Sequence, residues 1–141
     1  MARSITGGCI CGAVRYECSA DPVFTANCHC RDCQRASGGG FVSVLAVPRD
    51  ALKISGEVKY YDVKGDSGNL VSRGFCPNCG SRLFARPAAV PTMIGIMAGS
   101  LDDSGWYRPA MDFYTASAQS WVPMDPALPK FPKMPPMESN R

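Results

Sequence analysis

Seven of the eight cysteines in this 141-residue chain fall into three short clusters. Two cysteines separated by one residue make a poor intramolecular disulfide, and closely spaced cysteines in a reducing compartment are more often metal ligands. Seven thiols grouped in this way predict two metal sites, one with four ligands and one with three. The clusters are Cys9-Ile10-Cys11, Cys28-His29-Cys30-Arg31-Asp32-Cys33 and Cys76-Pro77-Asn78-Cys79.

Length and composition predict one globular domain over residues 1–141. The chain is 45% hydrophobic and 19% charged, as soluble proteins are. No apolar run approaches the roughly 18 residues that cross a bilayer, so no membrane association is expected. The first residues lack the apolar stretch of a secretion signal, and we therefore expect a cytoplasmic protein.

Short β-branched and aromatic segments separated by glycine and proline predict a mainly β fold with little helix. Val14, Tyr16 and Cys18 alternate with polar residues, which predicts a strand that turns Cys18 into the core. Gly56-Glu57 predicts a tight hairpin turn between two strands. Besides the strand that carries Cys18, strands are predicted at residues 41–47, 52–55, 58–63, 70–75, 81–85, 92–98 and, as the last, 113–118.

One helix is predicted at Arg31–Ser37, ended by Gly38-Gly39-Gly40 as glycine often ends helices. The proline-rich tail, residues 123–141, is predicted to be extended, without regular hydrogen bonding, and wrapped along the rest of the chain.

The cluster at Cys76 and Cys79 is typical of a zinc knuckle. Zinc binds thiolates at about 2.3 Å in a tetrahedron, and the two-residue spacer lets both sulfurs face one ion. Gly80 is expected to accommodate the turn that follows. Cys9 and Cys11 are the natural partners, because the remaining cluster already holds three cysteines, although spacing alone does not prove this pairing.

The middle cluster, Cys28, Cys30 and Cys33, can surround one ion from a loop and a helical turn and leave a fourth position open. An open position for water or substrate is the pattern of a catalytic zinc. The alternative is that Cys18 or His29 fills this position and the ion is structural. We expect Cys18 to pack in the core and the His29 ring to project away from the sulfurs.

The chain resembles the glutathione-dependent formaldehyde-activating enzyme family, which also includes centromere protein V. The resemblance rests on residues 7–16, 28–38 and 75–81, where all seven clustered cysteines agree in order and spacing, and on residues 99–103 and 117–121. One departure is Asp112-Phe113-Tyr114, since the family often has a histidine at the first of these positions.

The resemblance implies a β-tent fold, made of small antiparallel sheets with zinc-knuckle loops. It also implies two zinc ions. Cys9, Cys11, Cys76 and Cys79 would hold a structural ion, and the middle cluster would hold an exchangeable, catalytic one.

The implied activity is that of a zinc-dependent carbon–sulfur lyase. A small thiol such as glutathione would take the open zinc position and add reversibly to an aldehyde such as formaldehyde. The carboxylates of glutathione need hydrogen-bond donors, and the nearest in sequence are Arg31, Arg35 and the amides of Gly38 and Gly39, with Gly40 beside them.

Two alternatives remain open at this point. The lyase chemistry could use another thiol or electrophile, because proteins with the same fold and metal site often act on different substrates. The chain could also be a non-enzymatic zinc module for a protein or nucleic-acid partner. Nucleic acid is the less favoured partner, because seven thiolates and two Zn²⁺ would bring the formal charge of +3 to about zero and the basic residues are scattered.

Overall fold

Short β-strands dominate this computed structural model, which describes residues 4–135. The prediction of a mainly β fold with little helix is confirmed, because this part of the chain holds eleven strands and one α-helix, α1, at Arg31–Ser37. The strands are β1 Ile5–Gly8, β2 Arg15–Cys18, β3 Phe24–Cys28, β4 Val42–Pro48, β5 Leu52–Ser55, β6 Lys59–Lys64, β7 Leu70–Phe75, β8 Arg82–Pro87, β9 Met93–Met97, β10 Asp112–Phe113 and β11 Lys130–Phe131.

The smaller sheet has three antiparallel strands in the order β1-β2-β5. Its central strand shows the predicted alternation, since Tyr16 and Cys18 are buried while Arg15 and Glu17 are exposed. Cys18 thus lies in the core, as expected.

The larger sheet has eight strands in the order β11-β10-β3-β4-β9-β8-β7-β6. Its pairings are antiparallel except at β10, which runs parallel to both β3 and β11. Helix α1 directly connects β3 to β4, two neighbouring strands of this sheet. The first of the three middle cysteines therefore sits at the end of a sheet strand and the other two at the start of a helix.

The two sheets share one hydrophobic core. The Tyr16 ring of β2 packs edge-on against the Phe84 ring of β8, with 5.4 Å between the ring centroids. The Tyr16 hydroxyl lies 2.7 Å from Ser100 Oγ, so its polar end is also paired inside the protein. Ile5 of β1 and Ile96 of β9 belong to the same buried cluster.

The hairpin predicted at Gly56-Glu57 is wrong. Strand β5 pairs with β2 in the three-stranded sheet, whereas β6 pairs with β7 in the other sheet. Gly56 adopts a φ of +92°, and a Cβ at this position would lie 2.0 Å from the Ala13 carbonyl oxygen. The glycine therefore lets the chain pass close to another backbone segment as it crosses between sheets.

The predicted last strand at residues 113–118 is also wrong. Only Asp112–Phe113 is extended, because Tyr114 adopts a left-handed φ of 59° and a short 3₁₀ turn, Thr115–Ser117, follows. The tail does contain regular hydrogen bonding, since Lys130–Phe131 pairs with β10. Residues 136–141 of the predicted tail lie outside the described residues.

The predicted helix is confirmed at both ends. The Cys30 side chain accepts a hydrogen bond from the Cys33 amide at the N-terminus, and Gly38 has a φ of 78° at the C-terminus. No helix in residues 4–135 is long and apolar enough to cross a membrane.

Phe84→Ala should lower the free energy of unfolding by about 3–5 kcal/mol, because it removes a fully packed aromatic ring from the contact between the sheets. Denaturant unfolding followed by circular dichroism measures the change. Tyr61→Ala is the matched control, because Tyr61 is 68% exposed on the edge strand β6 and should change stability little. Equal losses in both variants would contradict a core shared by the two sheets.

Candidate metal centres and active site

Four cysteines from different sheets converge on one point. Cys9 and Cys11 follow β1, whereas Cys76 and Cys79 lie in the turn between β7 and β8. All four sulfurs lie within 4.8 Å of one another, with 3.6 Å between Cys9 and Cys11 and 3.8 Å between Cys11 and Cys76. A tetrahedron with zinc–sulfur bonds of 2.3 Å has sulfur–sulfur edges of about 3.8 Å. This cluster therefore could hold one zinc ion.

Neighbouring groups contact two sulfurs of this four-cysteine cluster and favour the thiolate form of Cys79. Asn78 Nδ2 donates to Cys11 Sγ at 3.2 Å, and Ser81 Oγ lies 3.1 Å from Cys79 Sγ. The Ser81 hydroxyl and backbone amides lower the pKa of Cys79 to about 5. A thiol that ionises readily is a ready metal ligand.

Each pair of cysteines is followed by a glycine in a left-handed conformation. Gly12 has a φ of 81° and Gly80 a φ of 80°. Open space surrounds the position where a Cβ would stand at both glycines, so the backbone turn, rather than crowding, is what requires glycine there. The turn expected at Gly80 is confirmed.

The second cluster is formed by Cys28, Cys30 and Cys33. Cys28 is the last residue of β3, Cys30 caps α1 and Cys33 lies in its first turn. The three sulfurs lie within 4.8 Å of one another, and Cys28 and Cys33 are buried. This cluster also could hold a metal ion, and its three ligands leave a coordination position unfilled by the chain.

The three thiols favour the ionisation of Cys30 and oppose that of Cys28 and Cys33. Hydrogen bonds from Cys28 and Cys33 lower the pKa of Cys30 to about 2. The same contacts, with burial, raise the pKa of Cys28. For Cys33, the bond with Cys28 lowers the pKa, but the bond with Cys30 and burial outweigh it and raise the value to about 11. A divalent cation would supply the positive charge that three adjacent thiolates require.

Neither Cys18 nor His29 belongs to the three-sulfur group. Cys18 is fully buried, and its thiol lies 3.5 Å from the Ala20 carbonyl oxygen. The His29 ring instead meets Asp112, with 2.9 Å between Nε2 and Oδ1. The alternative in which one of them serves as the fourth ligand therefore finds no support among residues 4–135.

Arg73 of β7 contacts the three-cysteine cluster, and no sequence motif predicts this contact. Its Nη1 lies 3.5 Å from Cys33 Sγ and its Nη2 lies 3.9 Å from Cys30 Sγ. Burial lowers the pKa of Arg73, but the negative charge of Cys33 and Cys30 outweighs it and raises the pKa. Arg73 is 40 residues from Cys33, so no local motif connects the two.

A cavity of about 310 Å³ adjoins Arg73, which is part of its wall. None of the three cysteines lines it, so Arg73 stands between the sulfur cluster and the cavity. Two arginines and two serines give this cavity its polar character. The lining residues are Ala36, Ser37, Phe41, Val42, Ser43, Arg73, Gly74, Arg82, Phe84, Met97 and Gly99.

Residues 4–117 match a family model described as glutathione-dependent formaldehyde-activating enzyme. The chain belongs to this family. The expected family resemblance is confirmed, and the match includes all seven clustered cysteines.

Similar curated proteins carry the same family name as a provisional assignment. One from Halomonas elongata is 29% identical over 103 residues, which cover 70% of this chain and 66% of the relative. One from Penicillium rubens is 29% identical over 122 residues, covering 81% of this chain and 63% of the relative. The chain thus spans slightly less than two thirds of the length of these relatives.

A crystal structure of a Rhodobacter sphaeroides protein has a similar fold. It superposes with a TM-score of 0.56 at 21% identity and covers 74% of this chain and 91% of the other. At this identity the likeness extends to the fold.

The residues expected to donate hydrogen bonds to a substrate carboxylate do not line the cavity beside Arg73. Arg31 donates to Gln34 Oε1, and Arg35 is exposed. The amides of Gly38 and Gly39 both donate to groups of α1. None of the four expected donors lines the cavity beside Arg73. Their role in substrate binding stays a prediction.

Cys30→Ser and Cys79→Ser should have different effects, because only the second removes a ligand from the cluster that joins the sheets. Cys30→Ser should lose one zinc per chain and keep its melting temperature within about 5 °C of the wild type. Cys79→Ser should lose the cooperative melting transition, since zinc binding at a structural site contributes directly to folding. Elemental analysis and thermal melting test both. Similar melting of the two variants would contradict the division of roles between the clusters.

Proposed function

We propose that this chain is a zinc-dependent carbon–sulfur lyase that joins a small thiol, such as glutathione, to an aldehyde, such as formaldehyde. The observation that carries the proposal is a cluster of three cysteine sulfurs, incomplete as a tetrahedral site, beside a cavity with an arginine between them. Membership of the family supports the same substrates. The eight free thiols suit a reducing compartment such as the cytoplasm.

The proposed reaction is a reversible addition. The thiol sulfur forms a bond to the carbonyl carbon, the carbonyl π bond breaks, and the thiol proton ends on the former carbonyl oxygen. A zinc ion held by Cys28, Cys30 and Cys33 would favour the thiolate form of the substrate at neutral pH. The chain's own contribution is to hold the three sulfurs on one side and leave the substrate side free.

Arg73 suits this reaction electrostatically. Three thiolates and one Zn²⁺ carry a net charge of −1, and a further substrate thiolate would add to it. The Arg73 guanidinium, 3.5 Å from Cys33 Sγ, offsets this charge where the substrate sulfur would bind. An arginine keeps its positive charge at any physiological pH.

The cavity suits the remainder of a small acidic thiol. Its volume of about 310 Å³ falls at the lower end of the size of small-molecule pockets, roughly 300–1,000 Å³. Arg73 and Arg82 can receive carboxylates, while Ser37 and Ser43 offer hydroxyl groups. A thiol with carboxylate groups is therefore favoured over an uncharged one.

The first test combines metal content with catalysis. Protein purified without chelator should hold two zinc ions per chain. It should also accelerate formation of the hemithioacetal from glutathione and formaldehyde, a reaction that NMR can follow. Cys30→Ser should abolish the acceleration, whereas Cys18→Ser should keep it, because Cys18 lies outside both clusters. One tightly held ion and no rate enhancement with any thiol would overturn the proposal and favour a structural zinc module.

Arg73→Met should raise KM for glutathione roughly 10- to 100-fold, the range expected for losing a hydrogen bond to a charged group. The effect on 2-mercaptoethanol, which has no carboxylate, should be smaller. Arg35→Met is the matched control, because its exposed guanidinium lies outside the cavity lining. A larger effect of Arg35→Met than of Arg73→Met would contradict this assignment and favour Arg31 and Arg35, the arginines nearest in sequence to the three cysteines, as the carboxylate donors.

A further inference from the structure

His29, the residue between two cysteines of the three-cysteine cluster, is held from several sides. Its backbone amide donates to the Phe113 carbonyl at 3.0 Å, and its carbonyl accepts from Gln34 Nε2 at 2.7 Å. Its ring packs 5.2 Å from the Phe41 ring, and the residue is 1% exposed. Because Cys28 and Cys30 flank it directly, the position of His29 sets how their two sulfurs are spaced.

Asp112 fixes the His29 ring. Nε2 of the ring donates to Oδ1 of Asp112 at 2.9 Å, and both side chains are 1% exposed. Nδ1 has no hydrogen-bond partner within the described part of the chain, so Asp112 alone sets the orientation of the ring by hydrogen bonding. Burial raises the pKa of Asp112, but hydrogen bonds with His29, Asn27 and Lys130 outweigh it, and the pKa is lowered.

The C-terminal strand supplies a further partner of Asp112. Lys130 Nζ lies 3.3 Å from Asp112 Oδ2 and also donates to the carbonyls of Asp125 and Leu128, at 2.6 and 3.1 Å. Lys130 belongs to β11, which pairs with β10, the strand that carries Asp112. The folded tail thus fixes the carboxylate from the side opposite His29.

Burying the side chains of Asp112 and His29 lowers the stability of the fold, and core packing does not require them. Taking a carboxylate out of water is unfavourable, and apolar residues of similar size often stabilise a fold equally well. The series of side-chain contacts runs from Lys130 through Asp112 to His29, the residue between Cys28 and Cys30. None of its hydrogen bonds reaches the four-cysteine cluster.

We infer that Asp112 is a positioning residue for the three-cysteine metal site, acting through His29 and held in place by Lys130 of the C-terminal strand. The inference rests on the metal site of the proposed function but not on the reaction. Groups hydrogen-bonded to metal ligands from outside the ligand set commonly change metal affinity by about 10- to 100-fold. Asp112 acts one residue further out, through His29, so we expect an effect at the lower end of this range. Loss of Asp112 should therefore weaken zinc binding at one site of the chain and spare the other.

The test measures zinc affinity at both sites of the full chain by competition with a chromophoric chelator. Asp112→Ala should raise the dissociation constant of the three-cysteine site about 10-fold, the lower end of the range for direct partners of ligands, and leave the four-cysteine site unchanged. Lys130→Met should act in the same direction with a smaller factor. Asp112→Asn should restore part of the affinity, because its amide oxygen can still accept from His29. In cobalt-substituted protein, only the sulfur-to-cobalt bands of the three-cysteine site should change.

Asp102→Asn is the matched control. Asp102 is an exposed carboxylate paired with Arg15 and Thr6 and has no contact with the three-cysteine cluster, so Asp102→Asn should leave the affinity of that cluster unchanged. In a His29→Phe background, Lys130→Met should have no further effect on zinc binding, because the link to the cysteines is already broken.

Equal weakening of both sites, unchanged affinity at the three-cysteine site, or a wild-type chain that binds a single zinc would each overturn the inference. Should Asp112→Ala fail to fold, Lys130→Met and Asp112→Asn decide between these outcomes by the same measurement. If Asp112→Ala weakened zinc binding at the three-cysteine site alone and the wild-type protein showed no lyase activity, the inference would be supported and the proposed function overturned.

Discussion

The meeting of four cysteine sulfurs between the two sheets is the constraint on which the rest of the structure depends. One pair follows the three-stranded sheet and the other lies in a turn of the eight-stranded sheet, so an ion bound there would cross-link them. A chain of this size buries a limited core, and strands of two to seven residues contribute little individually. A cross-link of this kind would stabilise the contact of Tyr16 with Phe84 at no cost in core volume.

The two cysteine clusters differ in what surrounds them. The four-cysteine cluster is closed by turns of its own loops, with left-handed glycines and short hydrogen bonds to nearby side chains. The three-cysteine cluster instead depends on distant parts of the chain. Arg73 arrives from β7, and Asp112 and Lys130 arrive from the two strands at the edge of the sheet. A site with three cysteine ligands would need such external support, because its own ligands do not close it.

Structural features that depend on residues only a few positions apart could be predicted from the sequence. Helix α1 was placed at its observed ends because both caps, Cys30 and Gly38, are local signals. The two cysteine groups followed from spacing and family resemblance. The hairpin at Gly56 failed because a turn residue specifies a bend but not the strand that pairs after it. The strand after Phe113 failed because Tyr114 adopts a left-handed conformation that its residue type does not favour. Strands β1 and β3 carried too few alternating residues to be found.

The same distinction explains why the two cysteine clusters could be predicted and the contact of Arg73 with one of them could not. Zinc requires sulfurs within about 4 Å of one another, and a chain most easily meets that requirement with cysteines one to three residues apart. Under the proposed function, a substrate carboxylate would lie several ångströms from the metal, so its donors could come from any strand whose register brings them near. The nearest arginines in sequence, Arg31 and Arg35, point to the helix surface and its own side chains, whereas Arg73, 40 residues from Cys33, reaches the sulfurs because β7 lies across the sheet. Under the proposed function, a single substitution on β7 would therefore change the substrate while every clustered cysteine stays in place.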